Sequence, residues 1–96
     1  MKVQLIKSPI IQKKWRVLFE NGTHTDFGAT GYSDFTMHKD PARMRLYVQR
    51  HRSRETWGLK GIKTAGFWSR WLLWSEPSLS KAKKLIQKKF KITIQY

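Results

Sequence analysis

A chain of 96 residues with 20 Lys and Arg against six Asp and Glu has a formal charge of +14, an excess that opposes compactness unless polyanions or counterions lie nearby. Hydrophobic residues make up 40% and aromatic residues 14% of the chain, which excludes a disordered basic tail and predicts a single folded domain over residues 1–96. Cys is absent, which excludes a disulfide framework, a thiolate nucleophile and a Cys-based zinc site.

The first forty residues are predicted to form a β-hairpin and a small antiparallel sheet. Apolar and polar residues alternate over Lys2–Lys7 and again over Trp15–Phe19, as they do in half-buried strands. Asn21-Gly22 then supplies the strongest short hairpin signal, and Thr23–Phe27 is the predicted return strand.

The remainder is predicted to contain about three helices and a C-terminal strand. Asp40-Pro41 is typical of a helix start, and the helix is expected to run to about Arg54. A second, short helix lies in the largely apolar segment Thr64–Trp74, and a third is capped by Ser78 or Ser80. Lys91–Tyr96 alternates and is expected to join the N-terminal sheet, giving an α+β domain.

Positive charge is concentrated in the second part of the chain. Residues 1–40 hold six basic and four acidic residues, whereas residues 41–96 hold fourteen basic and two acidic residues. Arg side chains form forked hydrogen bonds with phosphate oxygens, and Lys adds point charges. The predicted phosphate-binding residues are Arg43, Arg45, Arg50, Arg52, Arg54, Lys60, Lys63, Lys81, Lys84 and Lys88. A solvated helix face usually mixes both signs, but no acid lies between Arg43 and Arg54.

The Trp-rich segment allows two interpretations. Aromatic rings beside basic residues suit base stacking on single strands, whereas the helical spacing of the rings is typical of a core or an oligomer interface. We expect a core or interface, because an exposed strip this apolar would aggregate. The residues concerned are Phe67, Trp68, Trp71, Leu72 and Trp74. A single domain of 96 residues has little interior in which to bury so many aromatic side chains, which favours a homodimer or a swapped element.

Enzymatic chemistry has little support in the sequence. The three His residues, His24, His38 and His51, are scattered without zinc-ligand spacing, and no metal or cofactor is expected. Asp34, His38 and Asp40 lie close in sequence and form a conceivable nuclease-like metal site, but Asp40 already has a capping role. No catalytic residue is therefore predicted.

Several sequence segments are similar to those of a known protein family. They are residues 26–28, 31–36 and 38–40 and, most distinctively, the unusual segment from Gly61 to Trp74. Over about residues 13–90 the chain resembles small basic proteins of nucleocytoplasmic large DNA viruses, the giant viruses of amoebae and algae, including the marseillevirus group. The resemblance implies a viral protein that acts near a large DNA genome, in the virion, the viral factory or the host nucleus. It brings no catalytic motif with it.

The sequence thus predicts a DNA-binding module that holds duplex DNA through its phosphates with little base specificity. Its expected role is genome packaging, compaction or engagement of chromatin. The alternative is a structural protein whose basic face meets an acidic protein, such as a histone-binding surface or a capsid component. Lys2 and Lys7 argue against a signal peptide, and no apolar run approaches the roughly 20 residues that span a bilayer, so neither secretion nor a membrane partner is expected.

Overall fold

Four strands form one mixed sheet in the order β3-β2-β1-β4. The first three are antiparallel, and the last pairs parallel to β1. Their bounds are β1 Lys2–Lys7, β2 Lys13–Phe19, β3 His24–Ala29 and β4 Thr93–Gln95. The computed structural model describes residues 1–95, so Tyr96, the last residue of the predicted C-terminal strand, lies outside the described residues.

The predicted hairpin and C-terminal strand are confirmed. Gly22 has a φ of +88° in the turn between β2 and β3, the left-handed conformation that favours glycine. The strands run further than the alternation indicated, since β2 begins at Lys13 and β3 ends at Ala29. The α+β fold class is therefore correct, with strand limits shifted by one or two residues.

Four helices follow the three antiparallel strands: α1 Phe35–His38, α2 Pro41–His51, α3 Ala65–Trp68 and α4 Leu79–Phe90. A 3₁₀ turn at Leu59–Gly61 precedes α3, and a π-helical turn at Ser69–Leu73 continues it. Side-chain oxygens of Asp40, Thr64 and Ser78 cap α2, α3 and α4 by accepting backbone N–H groups, as expected of N-cap residues. Among residues 1–95, no helix is both long and apolar enough to cross a membrane.

Two helical features differ from the prediction. Helix α2 ends at His51 instead of about Arg54, because the N–H of Arg54 bonds to the carbonyl of His51 and closes a tighter turn. Helix α1 was not predicted at all. It is held by Asp34, whose carboxylate accepts hydrogen bonds from the backbone N–H of Thr36 and from Nζ of Lys14. Lys14 lies twenty positions away in the sequence.

The core lies between one face of the sheet and the helices that cover it. Trp68 is fully buried, its ring lies 6.2 Å from that of Phe27, and its Nε1 donates to the carbonyl of Ile62 at 2.6 Å. The sheet contributes Val3, Leu5, Val17, Phe19, Phe27 and Ile94, and the helical layer contributes Phe67, Trp68, Leu72, Leu73, Ala82 and Ile86. One chain therefore encloses most of the Trp-rich segment by itself.

The opposite face of the sheet carries a two-pronged ion pair. Arg16 donates from Nε and Nη2 to the two carboxylate oxygens of Asp26, at 2.8 and 3.0 Å. The hydroxyl of Ser8 donates to the same carboxylate. The bond from Arg16, together with that from Ser8, lowers the pKa of Asp26 despite its partial burial.

Gly28 sits where β3 meets the core, and its substitution gives a stability prediction. Its φ is +78°, and an added Cβ would lie 2.8 Å from Leu73 Cδ1 and 3.3 Å from Lys14 Cβ. Gly28→Ala should lower the free energy of unfolding by about 2–4 kcal/mol, since backbone strain and overpacking both act. Gly31→Ala is the matched control, because Gly31 has a φ of +86° with open space around it. Urea denaturation that gives equal losses for the two variants would contradict the close packing of β3 on Leu73.

Candidate nucleic-acid interface

Helix α2 is attached to the rest of the protein by a stack of aromatic rings. The ring of Tyr47, which is buried, lies parallel to Trp74 at 4.4 Å between centroids and packs on His51 at 4.3 Å. The ring of His38 in α1 packs against Trp74 in a tilted arrangement, with the ring planes at 55° and the centroids 5.3 Å apart. Burial raises the pKa of the Tyr47 phenol well above its usual value, so this ring stays neutral. The inward face of α2 is therefore centred on Tyr47, the one residue of the helix that is buried.

This attachment leaves the arginines of α2 and its following turn in solvent. All five are exposed, and none of their guanidinium groups donates a hydrogen bond or forms an ion pair within residues 1–95. They are Arg43, Arg45, Arg50, Arg52 and Arg54. Unpaired guanidinium groups on a fixed helix are available to external anions.

Five of the six acidic side chains, by contrast, accept hydrogen bonds from other groups of the fold. Asp26 and Asp34 pair with Arg16 and Lys14, and Asp40 caps α2. Glu20 accepts from the backbone N–H of Lys2, and Glu55 accepts from Trp57 Nε1. Internal donors therefore occupy five of the six carboxylates, all but that of Glu76, while the arginines around α2 face water, so the surface there is more positive than composition alone indicates.

One edge of α2 borders a groove of about 540 Å³ against the β2 and β3 strands. Arg43 and Arg50 line it from the helix, and Lys13 and Lys14 line it from β2. Glu55 also lies in this groove, but its carboxylate is held by Trp57 and lies 3.4 Å from His51 Nδ1. Sequence reasoning missed Lys13, because only the folded chain brings β2 beside α2, whereas Lys14 adds no free cation because its Nζ pairs with Asp34 at 2.6 Å.

The opposite edge of α2 borders a hollow of about 450 Å³, which Arg45 and Arg52 share with Arg70 of the π-helical turn. Arg70 is half-buried, and burial lowers the pKa of its guanidinium from the usual value. An Arg side chain nevertheless stays charged in proteins. Arg70 was also missed by sequence reasoning, since within the Trp-rich segment it stood only as an interruption of an apolar run.

The predicted lysines occupy other parts of the surface. Lys63 donates to the hydroxyl of Thr23 and lies 4.4 Å from the ring centroid of Phe19, so it belongs to the hairpin end of β2 and β3. Lys60 is exposed on the 3₁₀ turn. Lys81, Lys84 and Lys88 are exposed along α4, as expected for its solvent side. The structure thus brings the arginines together around α2 and leaves the lysines as separate patches.

The residues of the conceivable nuclease site have other partners. Asp34 caps α1 and pairs with Lys14, while Asp40 caps α2. His38 Nδ1 accepts from the backbone N–H of Asp40, and its ring packs on Trp74. Within residues 1–95, no group of three or more His, Cys, Asp or Glu is placed to hold a metal ion.

The Trp-rich segment lies mainly inside the chain. Phe67, Trp68 and Leu72 are fully buried, whereas Trp71 and Trp74 are half-buried at the edge of the core. Trp71 Nε1 donates to the carbonyl of Trp57, and Trp74 supports Tyr47 of α2. Trp74 therefore helps to hold α2 in place, and the segment exposes little aromatic surface on which a base could stack.

Comparison with known proteins places the first half of the chain in a family. A family model matches residues 3–51, a region that begins in β1 and ends with the last residue of α2. It includes Arg43, Arg45 and Arg50, whereas Arg52, Arg54 and Arg70 lie beyond it. No curated protein and no solved structure matches the chain. Because the match covers just over half of the chain, the protein belongs to the family of unknown function DUF5754.

Proposed function

We propose that the protein binds duplex DNA through the phosphate backbone, with the arginines of α2 and its following turn as the main contacts. The observation that carries the proposal is that five arginines have exposed guanidinium groups without a partner among residues 1–95, while five of the six acidic side chains accept hydrogen bonds elsewhere in the fold. The arginines are Arg43, Arg45, Arg50, Arg52 and Arg54. Each phosphate neutralised by such a side chain releases counterions, which favours binding to any polyanion with closely spaced phosphates. No enzymatic step is part of the proposal.

Low sequence specificity is part of the proposal. Base readout needs side chains fixed in front of base edges. The arginines around α2 make no hydrogen bonds within residues 1–95 that would fix their guanidinium planes. We therefore expect Arg contacts that follow the backbone and tolerate many sequences.

The setting proposed for this activity comes from the resemblance to proteins of large DNA viruses. The duplex would then be a viral genome or host chromatin, and the protein would act in the virion, the viral factory or the nucleus. The exposed lysines of α4, Lys81, Lys84 and Lys88, would add charge for packaging or compaction of long DNA.

The homodimer remains a prediction, but the reason first given for it no longer applies. A dimer was expected because the aromatics needed cover, and Phe67, Trp68 and Leu72 find that cover within one chain. A homodimer of this protein would therefore use a surface other than these three residues. Light scattering on the purified protein measures the mass in solution and decides between monomer and dimer.

Anisotropy of labelled duplexes tests the proposed function. Two duplexes of about 30 base pairs with unrelated sequences should bind with affinities within a fewfold of each other at low salt. Polyglutamate, a flexible polyanion without phosphates, serves as the competitor and should displace DNA weakly. Absence of duplex binding at low salt would contradict the proposal, and tight binding to polyglutamate alone would favour the acidic-protein alternative.

A further inference from the structure

The hollow on the Arg45 edge of α2 differs from the rest of the basic surface, because three arginines from two elements share one small space. It measures about 450 Å³ and contains no acid in its lining. Its residues are Met44, Arg45, Val48, Gln49, Arg52 and Arg70.

The α2 side of the hollow is a short polar row. Arg45, Gln49 and Arg52 follow one another at intervals of four and three residues, which places them on one line of the helix. Arg45 and Arg52 are about 10 Å apart along the axis, given a rise of 1.5 Å per residue. Both long side chains can therefore reach a group that sits between them, beside the Gln49 amide.

The opposite side of the hollow is a guanidinium held in one orientation. Arg70 Nη1 donates to the carbonyl of Trp74 at 2.6 Å, and its Cζ lies 4.6 Å from the ring centroid of Trp71 and 5.4 Å from that of Trp57. Its Nε is buried without an acceptor, and Nη2 donates to no other residue among those described. Arg70 is thus pre-positioned, with donor capacity that the fold leaves unused.

Three like charges around a space without acid repel one another, and an anion in that space is attracted by all three, which offsets their mutual repulsion. The forked N–H groups of Arg match the oxygens of a phosphate, and a pre-positioned guanidinium loses less freedom on binding. We propose that this hollow is a pocket for a single phosphate group, held by Arg70 together with Arg45 and Arg52. The inference deepens the proposed function and rests on it for its nucleic-acid source, since a backbone phosphate and free inorganic phosphate share this chemistry.

The pocket makes the two edges of α2 unequal. Arg45 and Arg52 hold a defined phosphate with Arg70, whereas Arg43 and Arg50 act through the wider groove. Two variants with the same loss of charge separate these roles: Arg45→Gln/Arg52→Gln in the pocket and Arg43→Gln/Arg50→Gln as the matched control. All four side chains are exposed and unpaired within residues 1–95, so both variants should fold normally.

Nuclear magnetic resonance with inorganic phosphate as the probe tests the pocket. The full chain is titrated at constant ionic strength, with chloride replaced by phosphate, while the Nε–H signal of Arg70 and the indole N–H signal of Trp71 are followed. Both signals should shift along one saturable curve. The Arg45→Gln/Arg52→Gln variant should weaken phosphate binding by about tenfold or more, and the control variant should change it less than about threefold.

Two results would overturn the pocket. Shifts that grow linearly without saturation would indicate diffuse attraction, and equal weakening by the two variants would show that only total charge matters. Arg70→Lys adds an independent check, because it keeps the charge but lacks the fork and should also weaken phosphate binding. If Arg70→Lys fails to fold, the exposed pair of variants still decides the question.

The phosphate titration and the duplex-binding measurement test the pocket and the proposed function separately. Saturable phosphate shifts without any duplex binding would support the pocket for free phosphate and contradict the proposed function. Duplex binding that both double variants weaken equally, with no saturable phosphate shift, would support the proposed function and contradict the pocket. If the backbone is the source, duplex DNA should move the Arg70 and Trp71 signals in the same direction as inorganic phosphate does.

Discussion

The Arg50→Glu/Arg54→Glu variant is expected to bind duplex DNA about 100-fold more weakly than the wild type at near-physiological salt. Each replacement removes a cation from the phosphate-facing surface and adds an anion that the backbone repels. Both residues are exposed and unpaired within the described chain, so the free energy of unfolding should stay nearly unchanged. Anisotropy at several salt concentrations should also give a slope shallower by about two units, as two phosphate contacts are lost.

The matched control is Lys2→Glu/Lys7→Glu in β1, which changes the net charge by the same amount. Lys2 and Lys7 are exposed on β1, a strand that lines neither the groove nor the hollow beside α2. Their reversal should weaken binding by less than about tenfold, through the overall field alone. If the two double reversals weakened binding equally, the protein would respond to net charge and α2 would have no special part.

Trp68→Ala should lower the free energy of unfolding by about 3–5 kcal/mol, a large share of what a domain of this size possesses. The ring is 1% exposed and packs against Phe19, Phe27 and Phe67. Its removal opens a cavity and leaves the carbonyl of Ile62 without the indole donor. Thermal and urea denaturation measure the loss, and Trp68→Phe should lose less because an aromatic ring still fills the site.

This substitution also decides between the two interpretations of the Trp-rich segment. Truncation of a core residue lowers the free energy of unfolding. Truncation of a base-stacking residue lowers the affinity for single strands and leaves the free energy of unfolding unchanged. Normal stability of Trp68→Ala together with weakened single-strand binding would contradict the buried position of Trp68. Unchanged affinity per folded molecule, measured below the melting transition, is the result expected of a core residue.

The elements that sequence reasoning located are those with local signals. The alternation of Val3 and Leu5, the Asn21-Gly22 turn and the Asp40-Pro41 start each depend on neighbouring residues, and each appears at its predicted place. The five arginines likewise lie close together in sequence, and α2 with its following turn exposes all five, with Arg43 and Arg50 on one edge and Arg45 and Arg52 on the opposite edge.

The parts that sequence reasoning missed depend on distant contacts. Helix α1 has only four residues and is held by Lys14 through Asp34, a contact that no local pattern reveals. Arg70 enters the hollow beside Arg45 because the π-helical turn lies next to α2 in the folded chain. The sequence offered one signal for Arg70, which is a single charged residue within an otherwise apolar, Trp-rich segment. Such a side chain must either have a partner or reach solvent.

The salt dependence of duplex binding by the wild-type protein tests the central claim most directly. Affinity for a duplex of about 30 base pairs is measured between low and near-physiological salt, and the logarithm of the association constant is plotted against that of the salt concentration. If the five arginines of α2 and its following turn neutralise phosphates, the slope should be about −4 or steeper. A slope near zero, or no binding at the lowest salt, would contradict phosphate recognition by this surface.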